Sequence, residues 1–386
     1  MKKVLEIITL SGSAEAFIGD QFSYFQEMGD YEMHLICSDG DNLEAFAKKQ
    51  KIKYKAIEIS RQLAPWKDIK AIFKIARYIR QNKIDIIVAH YFPKASLIAT
   101  CANLLGGRKT KVMVAHGVLH DTMKGLVRKL VIWEQKFDVA FAKKVVCVSD
   151  SVAKRRVEDK IDKPEKQVVL GGGSCNGVDA LEKFNPDKVT EEEKDELKRK
   201  YGIKEQGFVV GFSGRLVHDK GIVELSQAFG IVKKKYPDKS IKLFIIGEPE
   251  KRDAVPQEVL DTLYDNPDVI FTGRIPYADI QKYYLMMDVL VLPSYREGFP
   301  TVVLEACSMG VPVIVSKSTG CIDSIKENVT GVYTEIKPDD IAANIERFFD
   351  KDFAENMGKR ARKYIVDNYD QRIIRKYMLE VLNSLG

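Results

Sequence analysis

The feature that most restricts how this chain can fold is a rhythm. Short apolar, β-branched runs alternate with longer segments of helical period, and part-way along the chain the rhythm starts again. Residues 4–10, 33–37, 84–89, 111–115 and 144–148 read as strands, with helix-length stretches such as 68–81 between them. Parallel strands need long crossover connections, so strand–helix–strand repetition specifies a parallel sheet covered on both faces. A Pro-containing, strongly charged stretch over 185–200 interrupts the series. It resumes at 208–213, 241–246, 269–271, 289–292 and 311–315, and three helical patterns, 338–349, 353–366 and 370–384, close the chain with no strand after them. The 386 residues exceed what one hydrophobic core usually organises. The expected fold is therefore α/β: two tandem Rossmann-like domains, 1–185 and 186–370, with 371–386 returning to the first. Such folds bind ligands in the crevice at the carboxyl ends of their strands.

Composition narrows the function classes. The six cysteines are scattered without a CxxC pair, and no histidine stands at metal-ligand spacing, so neither a zinc site nor a disulfide framework is expected. The opening MKKVLEIITLSGS imitates a secretion signal, but Glu6 interrupts an apolar run already too short for one, and it reads as a first buried strand. No segment approaches the roughly 18 apolar residues of a membrane span, so any membrane contact is expected to be peripheral. The net charge of +6 is uneven: residues 61–166 hold 23 Lys and Arg against 10 Asp and Glu. That density suggests an anionic partner for the first half, although a solvated, lysine-rich surface gives the same count. Segments 66–83 and 124–136 combine helical spacing, cations and large apolar residues (Trp66, Ile69, Ile72, Phe73 and Ile79; Leu126, Leu130 and Trp133). They can lie in a headgroup layer or simply cover the sheet, and covering is the commoner use of one such helix.

Two segments of the second half carry chemistry. GFSGRLVHDKG, 211–221, follows that half's first strand and brings Arg215 and Lys220 into the next loop. A guanidinium grips two phosphate oxygens, an ammonium adds a point charge, and Gly214 lets the backbone come close. SYREGFPTVVLEACSMG, 294–310, follows another strand. Glu297 falls in its loop, and Glu305 lies about one turn inside a helix beginning near 300 or 301, with Pro300 suited to the first helical position. The amides of Gly298 and Phe299 with the positive helix end form an anion site, and a carboxylate one turn in can accept from a ribose diol.

Together these segments resemble the group 1 retaining glycosyltransferases of GT-B fold, of the kind that build bacterial capsules and O-antigens. The resemblance covers essentially the whole chain. It rests on Glu297-Gly298-Phe299-Pro300 with Glu305 at E-x7-E spacing, Gly214-Arg215 with Lys220-Gly221, Asn176 to Asp179 at the hinge, and His116-Gly117 after a first-domain strand. It implies that Glu305 holds the ribose, Glu297 the donor sugar's hydroxyls, and Arg215 and Lys220 the leaving diphosphate. The amides of Gly298, Phe299 and Pro300 would meet sugar and phosphate, the Gly273-Arg274-Ile275 turn the nucleobase, and His116 the underside of the sugar. Gly12 and Asn176 join the donor set by family position. The first loop departs from the pattern, reading Ser11-Gly12-Ser13 where the family shows adjacent glycines.

The same resemblance implies a nucleoside diphosphate sugar as co-substrate, UDP-linked as the commonest case, and no metal or other cofactor. The acceptor would be a glycan or lipid-linked, and the protein cytoplasmic, at most peripheral on the inner face of the membrane. No nucleic acid partner is expected. No second carboxylate is nominated as a nucleophile, so retention would come from same-face attack. A nucleotide-sugar 2-epimerase of the same fold and a non-catalytic sugar-nucleotide-binding subunit are the rival readings. Among other polar residues, His34 and His90 read as structural, and His120 with Asp121 as surface polarity or, alternatively, acceptor activation. His218 would line the phosphate loop. Asp39-Gly40-Asp41 reads as turn chemistry, not a metal-binding DxD.

Overall fold

The computed structural model describes residues 1–40, 43–59, 64–91, 94–251 and 253–385. Asp41 of the DxD lies outside them. The chain divides into two compact units, Met1–Asn176 with Arg372–Gly386, and Gly177–Gln371. The division falls nine residues before the expected 185/186 boundary. The reason is local: Val178 bridges Asp370, the Phe184 side chain is fully buried, and Arg362 binds the carbonyls of Ala180 and Phe184 and the amide of Asn185. Residues 177–185 are thus bound into the second unit's core.

The first unit holds β1 (Lys2–Leu10), β2 (Tyr31–Ser38), β3 (Lys53–Ala56), β4 (Ile86–Tyr91), β5 (Thr110–Ala115), β6 (Lys144–Cys147) and β7 (Gln167–Val169). They form one parallel sheet in the order β3-β2-β1-β4-β5-β6-β7. Central strands such as β4 are buried throughout, as a sheet covered on both faces requires, whereas β3 is exposed along its length and carries two lysines, which suits an edge. Residues 11–13, read as a loop, instead open the short helix Ser11–Phe17 directly after β1.

The helix Pro65–Gln81 buries Ala71, Ile75, Ala76 and Ile79 but leaves Trp66 and Phe73 80% and 62% exposed. The helix Gly125–Ala140 likewise buries Gln135, Asp138 and Val139 while Leu126, Leu130 and Trp133 are 71%, 57% and 66% exposed. Most of the large apolar residues of these two segments therefore do not cover the sheet. Ile79 is buried in the core, and the half-buried Ile72 packs against it.

The second unit holds β8 (Phe208–Ser213), β9 (Ile241–Ile246), β10 (Val269–Gly273), β11 (Val289–Leu292), β12 (Val313–Ser316) and β13 (Gly331–Thr334) in the parallel order β10-β9-β8-β11-β12-β13. β13 had no counterpart in the sequence reading. Chain order reverses between β8 and β11, which pair directly, so the loops after those two strands emerge side by side. The closing helices run Pro338–Arg347, Lys351–Asn368 and Gln371–Asn383, and nearly all of the last belongs to the first unit. Among the described residues no helix is long and apolar enough to cross a membrane.

Candidate active site

In the second unit the loops after β8 and β11 are tied to each other. The Tyr295 amide donates to the Asp219 carbonyl at 2.9 Å, as does the Ser294 hydroxyl, and the Arg296 guanidinium clasps the Asp219 carboxylate at 2.6 Å. Lys220 and Glu297, about eighty residues apart in sequence, form a partly buried ion pair. Each has a separate expected role on a donor, yet in the protein alone each neutralises the other. Arg215 pairs instead with Glu250 at 2.9 Å, and both are well exposed. His218 stacks on Tyr295, ring centroids 5.3 Å apart.

Glycines allow this close approach. Gly221 has φ +70°, and a Cβ there would collide with the Pro293 carbonyl. Gly320 has φ +81°, and its Cβ would lie 2.5 Å from the carbonyls of Glu297 and Gly298. The loop after β12 thus backs the Glu297 loop, a contact completed by the Glu297 amide donating to the Thr319 carbonyl at 2.9 Å.

The helix after β11 starts at Thr301, with Pro300 as its N-cap residue, so Pro300 stands one place before the expected first helical position. Glu305 follows one turn in. Its neighbours Val303, Leu304, Ala306 and Cys307 are all buried, and Glu305 itself is only 8% exposed. Burial pushes its carboxyl above the usual range, opposed by the Tyr284 hydroxyl, which donates to it at 2.6 Å, and by the charge of Lys183. Tyr284 is fully buried, its phenol driven well above the ordinary value by burial and by Glu305. Ser213 Oγ lies 3.3 Å from the same phenol oxygen. Tyr284 had no signal of its own in the sequence, but a glutamate inside an apolar helical run implies a buried carboxylate in need of a donor.

Arg274 and Ile275 follow β10, whose last residue Gly273 has φ +69°. Arg274 is exposed, Ile275 half-buried, and the Arg274 amide lies 3.4 Å from a Glu248 carboxylate oxygen. Gly298 is half-buried, and the Phe299 ring packs 5.6 Å from that of Tyr369. All of these sit at the carboxyl ends of their strands.

The first unit holds the other three expected residues. His116 follows β5; its Nε2 lies 2.8 Å from His90 Nδ1, and the Phe17 ring is 4.6 Å away. Gly12 is exposed in the first turn of its helix, where a Cβ would meet nothing, so no close approach demands glycine there. The Asn176 side-chain oxygen accepts from Gln21 at 3.1 Å and from Arg375 at 3.4 Å, which fastens the end of this unit to its own helices.

One histidine reading changes. His120 is fully buried, bonded to Asp159 at 2.8 Å and Gln135 at 3.0 Å, and so is not surface polarity. His90 is paired with both Glu6 and His116. His34 is structural as expected, bonded to Tyr78 and Glu32. Among the described residues two groups, His120-Asp121-Asp159 and His218-Asp219-Asp253, come within metal-binding reach although their spacing gave no hint of it. Their carboxylates already have partners: Arg128 and Arg155 on Asp159, Arg155 on Asp121, Arg296 on Asp219, and the Asp219 amide on Asp253. All six cysteines are free.

The family model for glycosyl transferases group 1 matches residues 193–364, and that for glycosyltransferase family 4 matches 14–173. Along 99% of its length the chain is 30% identical to the Staphylococcus aureus capsular polysaccharide biosynthesis glycosyltransferase CapM, covering 97% of that protein. The chain is a group 1 glycosyltransferase. It is also 26% identical, over 88% of its length and 86% of the relative's, to an Escherichia coli UDP-Gal:α-D-GlcNAc-diphosphoundecaprenol α-1,3-galactosyltransferase. Anabaena HepE, solved in complex with UDP and glucose, superposes on this glycosyltransferase with a TM-score of 0.81 over the full length of both chains, at 18% identity. A glycosyltransferase of Rickettsia africae gives the same score at 21% identity, covering all of this chain and 98% of its own. The fold is GT-B.

Proposed function

We propose that this glycosyltransferase moves a sugar from a UDP-sugar to a lipid-linked or glycan acceptor in surface polysaccharide synthesis, with retention of anomeric configuration and without a metal ion. The carrying observation is the Lys220–Glu297 pair, with Arg215 beside the same strand end and Glu305 buried against Tyr284. Negative charge grows on the leaving phosphate and positive charge at the anomeric carbon during transfer. Arg215 and Lys220 neutralise the first, so no divalent cation is required. When the diphosphate engages Lys220, Glu297 is released to meet hydroxyls of the sugar, and the pair acts as a switch between its own salt bridge and the donor. Glu305 accepts from the ribose diol, the Gly298 to Pro300 backbone meets sugar and phosphate, Arg274 and Ile275 meet the base, and His116 meets the sugar. The acceptor class is taken from the relatives, among them the undecaprenol-linked substrate in the name of the E. coli enzyme. No observation favours the 2-epimerase or the non-catalytic subunit.

A lipid-linked acceptor needs access to a membrane surface, and the exposed apolar faces of Pro65–Gln81 and Gly125–Ala140 supply it. Trp66, Phe73, Leu126, Leu130 and Trp133 insert among headgroups, and the exposed Lys67, Lys70, Lys74, Lys124, Lys129 and Lys136 add about 1 kcal/mol each of attraction to an anionic leaflet. The protein then works at the cytoplasmic face of the membrane.

The test is a thermal-shift screen of nucleoside diphosphates and their sugars, followed by proton NMR of the anomeric product with and without EDTA. Stabilisation by UDP and an α-linked product from an α-linked donor, unaffected by chelation, is the expected result. Inversion, or activity restored only by Mg or Mn, overturns the proposed mechanism.

A further inference from the structure

Three side chains from three neighbouring strands form a line inside the first unit. Glu6 stands on β1, His90 on β4, and His116 directly follows β5, and these strands are adjacent in the sheet. Glu6 is the one charged residue in the buried part of β1, residues 4–9, and is 1% exposed; His90 is 4% exposed. Glu6 Oε2 lies 2.9 Å from His90 Nε2, and His90 Nδ1 lies 2.8 Å from His116 Nε2. Burying a carboxylate and an imidazole in a sheet whose buried side chains are mostly apolar is costly unless each bond is satisfied, and here the bonds run in series toward a candidate site residue.

We propose that Glu6 and His90 are positioning residues that fix the tautomer of His116, leaving its lone pair on Nδ1. The inference rests on the reading that His116 meets the donor sugar. A carboxylate only accepts, so His90 donates from Nε2. With a single proton on the His90 ring, the one given to Glu6, the lone pair is on Nδ1, which accepts from His116 Nε2–H. The His116 lone pair is therefore on Nδ1, and a hydroxyl that meets this nitrogen donates to it. Burial pushes the His116 imidazole well below its usual range, which keeps the ring neutral. Phe17, with its ring 4.6 Å away, packs against the imidazole. In histidine sites generally, the hydrogen bond at one ring nitrogen sets the chemistry of the other.

The decisive measurement needs no substitution in the protein observed. Long-range proton–nitrogen correlation on protein labelled with 15N-histidine at pH 7.5, with the His116 signals assigned from their loss in His116→Gln, should show the neutral Nε2–H tautomer. An Nδ1–H tautomer or an imidazolium at His116 refutes the proposal. In a second arm, His90→Phe removes the acceptor, whereas His90→Asn sets an amide oxygen near the place of Nδ1. His90→Phe should mix the His116 tautomers and lower kcat by about tenfold or more with little change in donor KM, and His90→Asn should restore both. Equal turnover of the two variants, each with a wild-type thermal transition, also refutes it. His116→Ala separates the two readings: wild-type turnover there removes the sugar contact, while the nitrogen spectra still decide the relay.

Discussion

Tyr284→Phe removes a single oxygen from the centre of the candidate donor site. That oxygen donates to Glu305 at 2.6 Å, and both residues are buried, so the carboxylate loses a charge-assisted bond that water does not readily replace. Such bonds contribute about 1.5–3 kcal/mol, which corresponds to roughly a 10- to 150-fold change in an equilibrium constant. Burial already raises the Glu305 carboxyl, and without its donor it rises further. An acid whose ionised form is destabilised takes up a proton at higher pH, and a protonated Glu305 accepts poorly from a ribose diol. UDP affinity by calorimetry should fall within that range at pH 7, and its acid limb should move to higher pH. Glu305→Gln should remove the limb, and the double variant should bind no more weakly than Glu305→Gln alone, because both act through one group. A Tyr284→Phe protein with wild-type affinity and an unshifted acid limb, or strictly additive losses in the double variant, refutes the reasoning.

Arg215→Ala and Lys220→Ala should each lower turnover about a hundredfold while binding of free uridine changes little, because charge on the leaving phosphate grows only in the transition state; steady-state kinetics decides this. Glu297→Gln should act mainly on the sugar, raising KM for UDP-sugar while the Kd of UDP stays near wild type by titration. Burial, and then the charge of Asp138, push Glu134 up to about 7 from 4.5. Its proton is therefore held more tightly in the folded state, and stability should fall by roughly 3 kcal/mol as pH rises from about 4.5 to about 7. Glu134→Gln should remove that decline in urea unfolding curves measured across the window. Leu130→Glu with Trp133→Glu should abolish sedimentation with anionic phosphatidylglycerol vesicles at low salt without altering UDP binding, and equal sedimentation of variant and wild type refutes the docking face.

What could be read from the sequence is whatever depends on short-range periodicity. The apolar rhythm specified two parallel sheets, because a strand buried on both faces must be apolar along its length and must be followed by a crossover helix. The motif residues after β8, β10 and β11 could be named because strand ends in this fold are where backbone amides and side chains are left for a ligand. The resemblance also marked Asn176 to Asp179 as lying between the domains, but the sequence did not give the boundary itself. Gly177 to Asn185 contain no periodic signal, and only the long-range bonds of Arg362 and the burial of Phe184 assign them to the second unit.

Pairings of distant residues were decided by tertiary structure alone. Lys220 meets Glu297 and Tyr284 meets Glu305 because β8 lies next to β11 and the helix before β11 packs beside the one after it, an adjacency set by sheet order and not by spacing. The same holds for Glu6, His90 and His116, three unremarkable residues in sequence that neighbouring strands place in line. Trp66 and Trp133 show the converse. Helical period told that their segments were amphipathic, but which apolar residues face the sheet and which face solvent depends on how each helix is rotated against its neighbours. Packing of the whole unit fixes that rotation: Ala71, Ile75 and Ala76 join the buried core on one side of the first helix and leave Trp66 outside, as Gln135, Asp138 and Val139 leave Trp133 outside on the second.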